Sequence, residues 1–143
     1  MNNPRLPAWA QLLRVLFALL LAASATGKLL DMPGFYGIVA SYQSLPQALV
    51  VPCAWALTLA ELGLAIWLLL GRSLAQAALV LITMHAMYFG WTLAALLRGL
   101  ALSNCGCFGV YWARPLTIYS PLEDLALLAL AALLRRAARR VRA

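Results

Sequence analysis

The sequence predicts an all-α integral membrane protein, a four-helix bundle with both termini cytoplasmic. Three observations carry that prediction. The 143-residue chain is 65% hydrophobic and 10% charged, against about 25% charged in ordinary soluble domains, and a soluble fold this small has nowhere to hide so much apolar surface. Four apolar stretches run over about residues 9–30, 46–70, 74–97 and 121–138. The 11 basic residues collect at the ends of those stretches. With four spans, one side carries Arg5, Arg14, Arg72, Arg135, Arg136, Arg139, Arg140 and Arg142, and the other carries Lys28, Arg98 and Arg114. That imbalance puts both termini and the Gly71-Arg72 turn inside, by the positive-inside rule. The whole chain, 1–143, forms one membrane domain.

Each element follows in order. The first span, Trp9 to Leu30, has the roughly 20 residues that a helix needs to cross a bilayer. Its beginning also has the shape of a signal peptide: Arg5, an apolar run from Leu12 to Leu21, then Ala23-Ser24-Ala25. The run continues through Gly27-Lys28-Leu29-Leu30 without a polar mature start, so the segment is expected to stay uncleaved; cleavage would leave three spans with the same loops facing outward. Residues 31–45 form an outward loop. Pro46 and Pro52 shape the start of the second span, which ends at Leu70. The third runs from Leu74 to Leu97 and leads into the outward loop 99–120. Trp9, Tyr111 and Trp112 fall near membrane interfaces, as aromatic belts do. The fourth span opens on Ser120-Pro121-Leu122-Glu123, with Ser at N-cap, Pro at N1 and Glu at N3 of a capping box. Its uninterrupted apolar core is short, Leu125 to Leu134, and crossing requires Arg135 and Arg136 to snorkel. An interfacial helix with a basic end is the alternative.

Composition excludes nucleic acid as a partner, because the cations cap apolar runs and do not spread over a polar, aromatic-interleaved face. The sequence has no Gly-rich phosphate loop, no Ser-His-Asp arrangement and no paired metal-ligand motif. A bacterial inner (cytoplasmic) membrane fits, with the outward loops in the periplasm or exterior.

The chemistry concentrates in Cys105-Gly106-Cys107-Phe108-Gly109, on an outward loop in the compartment where disulfides persist. Gly106 lets the backbone take the tight path that a Cys-x-Cys pair demands. A disulfide across one residue is strained and therefore labile, which suits exchange. Cys53, near the start of the second span, is either an inert apolar residue or a resolving thiol, and three cysteines allow three pairings. Two thiolates also suit Cu(I) or Zn(II), but no second Cys pair or nearby His completes a metal site. Glu61 lies inside the second span, where a charge must be neutral, paired or turned inward. His85 occupies a comparable depth in the third. The pair is either a proton relay or quinone-facing group, or an interhelical packing contact, with Thr58 and Tyr88 as candidate members of its network. Lys28 and Arg98, both placed at the outer surface, are candidates for stabilising a Cys105 or Cys107 thiolate.

With these residues in hand, the chain resembles the MauE branch of the MauE/DoxX family of small four-helix membrane proteins. The resemblance rests on Gly27-Lys28-Leu29, Tyr42-Gln43-Ser44-Leu45-Pro46, Glu61, Arg98-Gly99, Cys105-Gly106-Cys107-Phe108-Gly109 and the acidic pair Glu123-Asp124. It implies extracytoplasmic disulfide handling beside a thioredoxin-like periplasmic protein. The MauE branch is associated with maturation of methylamine dehydrogenase, a secreted client rich in disulfides. The DoxX branch is linked to quinone-coupled oxidation of sulfur compounds, so quinone is the one cofactor the resemblance brings into view. The fold is also similar to the four-helix core of vitamin K epoxide reductase, from which this chain departs by lacking a Cys-x-x-Cys at a helix end.

The function these readings favour is a membrane thiol–disulfide redox protein. A non-enzymatic membrane assembly factor and a Cys-based copper carrier are the alternatives.

Overall fold

The computed structural model describes residues 6–141. Within them the chain is all-helical: α1 Ala8–Leu29, α2 Met32–Ser41, α3 Gln47–Leu70, α4 Leu74–Leu97 and α5 Tyr119–Arg140. Three of these, α1, α3 and α4, are long and apolar enough to cross a membrane. Their outward faces expose Leu12, Leu16, Leu19, Leu59, Ile66, Leu69 and Val80. In water that surface would be an aggregation site; in a bilayer it is ordinary lipid contact. The chain is a multi-pass membrane protein whose first partner is the lipid bilayer.

The four long helices line one core. Ala10, Phe17, Ala18 and Leu21 of α1 meet Leu64, Ala65 and Leu68 of α3, Leu74, Ala77, Ala78 and Leu81 of α4, and Ala131, Leu134, Ala137 and Ala138 of α5. Alanine at so many of these positions lets the backbones approach closely, the usual packing solution in lipid. The turn between α3 and α4 is short because Gly71 takes the left-handed conformation (φ 68°) and donates its N–H to Leu68 and Trp67, a glycine C-cap.

Two elements differ from the sequence reading. The segment 31–45 is not a plain loop, because Met32–Ser41 is helical. Asp31 caps it, accepting from the Gly34 amide at 2.9 Å, with a proline in the first turn. Met32, Phe35 and Val39 then bury against Val50 and Ala54 of α3. Ten residues are too few for helical periodicity to stand out. The second difference is the start of α5. Ser120 lies inside the first turn, with its amide bonded to the Thr117 carbonyl at 3.0 Å, and no side chain caps the helix. The expected capping box does not form because the helix begins before Ser120, whose amide is already bonded to Thr117; Glu123 pairs instead with Arg114 at 2.6 Å. α5 packs along α4, but Glu123 and Asp124 at one end and Arg135, Arg136, Arg139 and Arg140 at the other keep it out of the set apolar enough to span.

Candidate functional site

The segment after α4 folds back on itself. Leu116 donates its amide to Leu102 at 2.9 Å, and Cys105 donates to Arg114 at 2.7 Å. Asn104 ties the tip of the loop from both ends of its amide: Oδ1 accepts from the Gly106 N–H at 2.9 Å, and Nδ2 donates to the Gly109 carbonyl at 3.0 Å. Gly106 sits at φ 81° with Ile38 pressed against it, so no larger residue fits the turn between the cysteines. Tyr42, at the end of α2, donates its hydroxyl to the Cys105 carbonyl at 2.8 Å.

The loop lies directly on α1. A Cβ at Gly27 would collide with the Phe108 carbonyl, and a Cβ at Gly109 would collide with the Gly27 carbonyl. This backbone-on-backbone contact is the physical reason for a glycine at each position. Gly27→Ala is expected to lift the loop off α1 at a cost of about 1–3 kcal/mol. A lower unfolding temperature together with faster alkylation of Cys107 checks it.

The two loop thiols face each other at 2.7 Å, Sγ to Sγ, and neither is bridged. Cys105 is buried and Cys107 half-buried. Their proton is unevenly shared. The Cys107 thiol donates to the Cys105 sulfur, which lowers the Cys105 pKa to about 6 against the opposing effect of burial; the Arg114 cation helps. Cys107 is pushed far above the ordinary thiol range, first by its hydrogen bond with Cys105 and then by partial burial. The pair thus favours a single shared proton, with Cys105 the more acidic sulfur. The Tyr42 phenol is also raised, by burial first and then by the nearby cysteines, so it stays a neutral hydrogen-bond donor to the loop.

Beneath the loop lies a buried ion pair. Lys28 Nζ contacts both carboxylate oxygens of Glu61 at 2.6 Å, with Lys28 3% and Glu61 1% exposed. The Tyr88 hydroxyl donates to Glu61 at 2.5 Å. The Lys28 ammonium also stands over the rings of Phe35, at 5.3 Å, and Tyr88, at 5.8 Å, where cation–π attraction assists. Ser24 joins this pair to the thiol loop. Its hydroxyl accepts from Lys28 at 3.1 Å and lies 2.9 Å from Glu61 Oε2 and 2.6 Å from the Cys107 carbonyl. It has one proton to offer those two acceptors. Four elements thus converge on one polar cluster: α1, α3, α4 and the cysteine loop.

The remaining sequence candidates are dispersed. Lys28 is not the surface cation the sequence suggested; it is interior and committed to Glu61. Arg98 clamps the segment before α3, donating to the Tyr42 carbonyl at 2.8 Å, the Gln43 carbonyl at 3.1 Å and Ser44 Oγ at 3.1 Å. The cation that acts on Cys105 is Arg114, and Lys28 acts on Cys107 in the direction that favours its thiolate. His85 is 3% exposed, with neither ring nitrogen hydrogen-bonded. Its Nδ1 lies 3.7 Å from Asp124 of α5, and its ring meets Tyr88 edge-on at 6.1 Å. Tyr88 rather than His85 reaches Glu61. Thr58 is turned to the Ala54 carbonyl at 2.8 Å. Cys53 is half-buried on α3 and shares neither a hydrogen bond nor a core cluster with the other cysteines. Among the described residues no three His, Cys, Asp or Glu side chains gather as a metal site would require. Ser24, Asn104 and Tyr42 were missed as site residues. The spacing of Ser24 and Lys28, four apart on one helical face and inside an apolar run, was the signal available for the first of them.

The same stretches are matched in known proteins. The family model described as methylamine utilisation protein MauE matches residues 6–136. A methylamine utilization protein MauE of Methylophilus methylotrophus is 39% identical over 107 residues, covering 74% of this chain and 54% of its own length. Another, of Paracoccus denitrificans, is 31% identical over 123 residues, covering 86% of this chain and 65% of its own. The chain thus spans less than two thirds of either relative. No solved structure matches it. Because the family match runs from the start of α1 into the basic end of α5 and takes in Ser24, Lys28, Glu61, Tyr88 and both loop cysteines, the chain belongs to the MauE family.

Proposed function

We propose that the chain is a membrane thiol–disulfide exchange protein, with Cys105 as the attacking sulfur and Cys107 as the resolving one. The observation that carries the reading is the 2.7 Å separation of the two sulfurs, of which Cys105 is the more acidic. The Cys105 thiolate attacks one sulfur of a partner's disulfide. A mixed disulfide forms and the partner's other sulfur leaves as thiolate. Cys107 then gives up its proton, to that thiolate or to water, and its sulfur attacks Cys105. The Cys105–Cys107 disulfide forms, and the partner's second sulfur departs. The partner has gained two electrons and this chain has lost two. Run in reverse, the strained Cys-x-Cys disulfide oxidises a pair of client thiols; the direction follows the partner's potential.

The partners that suit this chemistry are a thioredoxin-like protein and a secreted client with disulfides, both on the outward side of a bacterial inner membrane. The positive-inside imbalance supports that orientation, with α5 crossing as a fourth span and both termini inside. The names of the relatives support a setting in methylamine utilisation. Lys28, Glu61, Ser24 and Tyr88 serve as positioning residues that hold the loop through the Cys107 carbonyl. Because Glu61 is already engaged by three partners, we read it as a structural support for the thiols in preference to a quinone-facing group.

Oxidised glutathione is a sufficient probe. The Cys107→Ser variant is expected to accumulate a glutathione adduct on Cys105, located by peptide mass spectrometry. The wild type should pass through to a Cys105–Cys107 disulfide that mild reductant opens, and Cys53→Ser should behave like wild type. Three free thiols under oxidising conditions would sink the proposal. Client maturation that survives Cys105→Ser with Cys107→Ser would favour an assembly factor whose cysteines only brace the loop.

A further inference from the structure

A groove of about 380 Å³ opens between α2 and the segment that leads from α4 into the cysteine loop. One wall is formed by Gly37, Ile38 and Ser41 of α2, and the other by residues 101–104. Its volume is within the range of small ligand sites. None of its lining residues is charged or aromatic, so nothing in it selects an anion, a cation or a planar ring. The groove ends against the loop that carries the thiols. Ile38 lines it and also presses on Gly106, the residue between the two cysteines. Asn104 lines it and directly precedes Cys105, with its amide holding the loop tip through the Gly106 N–H and the Gly109 carbonyl.

Both walls suit a polypeptide backbone. Gly37 is exposed and helical, its φ is not left-handed, and a Cβ there would meet nothing within 4 Å. Glycine inside a helix is destabilising relative to alanine, and neither conformation nor packing within the chain calls for one here. Its effect is to keep the α2 wall bare, so that another backbone can come close. On the facing wall, the backbone N–H groups of residues 101–104 donate to nothing among the described residues, and Ala101 and Ser103 are exposed. One side of this segment is already taken, by the bonds from Leu116 to Leu102 and from Cys105 to Arg114. An extended peptide offers a row of C=O and N–H groups that an unpaired main-chain edge takes up alongside itself.

Resting on the exchange chemistry above, we propose that this groove holds an extended, uncharged stretch of the partner's polypeptide and so brings the cysteine it carries to Cys105. The Cys105 thiolate attacks that cysteine's sulfur, a disulfide forms between the two, and the other half of the partner's disulfide leaves as thiolate. The test compares two disulfides with the same leaving thiol, on the full chain in neutral detergent. One is a short capped, uncharged peptide whose central cysteine is joined to mercaptoethanol; the other is the symmetric disulfide of mercaptoethanol. Loss of the free Cys105 and Cys107 thiols with time gives both rates. The peptide disulfide is expected to react at least about tenfold faster. Gly37→Leu should remove that advantage and leave the small disulfide as fast as before, without lowering the melting temperature. Gly63→Leu, the same change at an exposed position on α3, should alter neither rate. If Gly37→Leu fails to fold, Ala101→Leu on the exposed facing wall decides, with the same selective loss expected. Equal wild-type rates for the two disulfides, or a groove variant that slows both alike, would overturn the groove. If neither disulfide reacts, the exchange chemistry itself fails, and the groove with it.

Discussion

Glu61→Gln is expected to destabilise the protein by about 3–5 kcal/mol, because it strands the Lys28 ammonium inside the bundle without a counter-charge. The amide keeps the shape of the carboxylate and can still bond Ser24 and Tyr88, so the loss isolates the charge. Lys28 is 3% exposed and cannot reach water without opening α1 from the cysteine loop. Its remaining neighbours, the Phe35 and Tyr88 rings, recover only a part, on the order of 1–2 kcal/mol for a desolvated cation–π contact. Lys28→Met combined with Glu61→Gln should restore most of the stability, since a neutral pair no longer carries a desolvated charge. Unfolding of purified protein in detergent, followed by helical signal against temperature or denaturant, reads the effect. A second readout separates positioning from bulk stability. Ser24 bridges this pair to the Cys107 carbonyl, so Glu61→Gln should also speed alkylation of Cys107 at temperatures where the helices remain intact. A Glu61→Gln protein as stable as wild type would mean that the ion pair contributes nothing.

Much of this was legible in the sequence, and the parts that were not have physical reasons. The apolar runs gave α1, α3 and α4 nearly to their ends, because lipid demands long uninterrupted apolar helices and little else mimics them. Cys105 and Cys107 stood out by type and spacing, and Glu61 by its cost in an apolar run. The pairing of Lys28 with Glu61 was hidden because Lys28 sits near the end of α1, where a snorkelling cation and a buried one look alike. The approach of the loop to Gly27 and the Phe35 and Tyr88 rings over the ammonium cover that position. Arg98 and Arg114 were indistinguishable as flanking cations; one reaches the Tyr42 segment and the other the thiols because the loop folds back between Leu102 and Leu116. The capping box at Ser120 was a sound local signal, but the loop delivers the chain in a helical turn that starts before Ser120, with its amide bonded to Thr117.

Cys107→Ala should slow alkylation of Cys105 at pH 7, by up to roughly 30-fold. In the wild type the Cys107 thiol donates to the Cys105 sulfur and holds its pKa to about 6. The sign follows from the acid: Cys105 is a thiol below that pH and a thiolate above it, so its labelling should rise as pH passes through about 6 and then level off. Alanine removes the donor. Burial is then opposed only by the Cys107 backbone amide and the Arg114 cation, and the pKa moves back toward the ordinary thiol value of about 8.5, at which only a few per cent is thiolate at pH 7. The rise in labelling should therefore move up, by as much as about two units. Cys107→Ser keeps a hydroxyl donor in place and should retain part of the depression, so the order wild type, Ser, Ala is the fingerprint of a hydrogen bond rather than of lost sulfur. A mass-tagging alkylator applied across pH 4 to 10, with Cys105 located by peptide mass, gives all three curves. Identical curves for the serine and alanine variants would remove the hydrogen bond from the account and leave Arg114 as the group that activates Cys105.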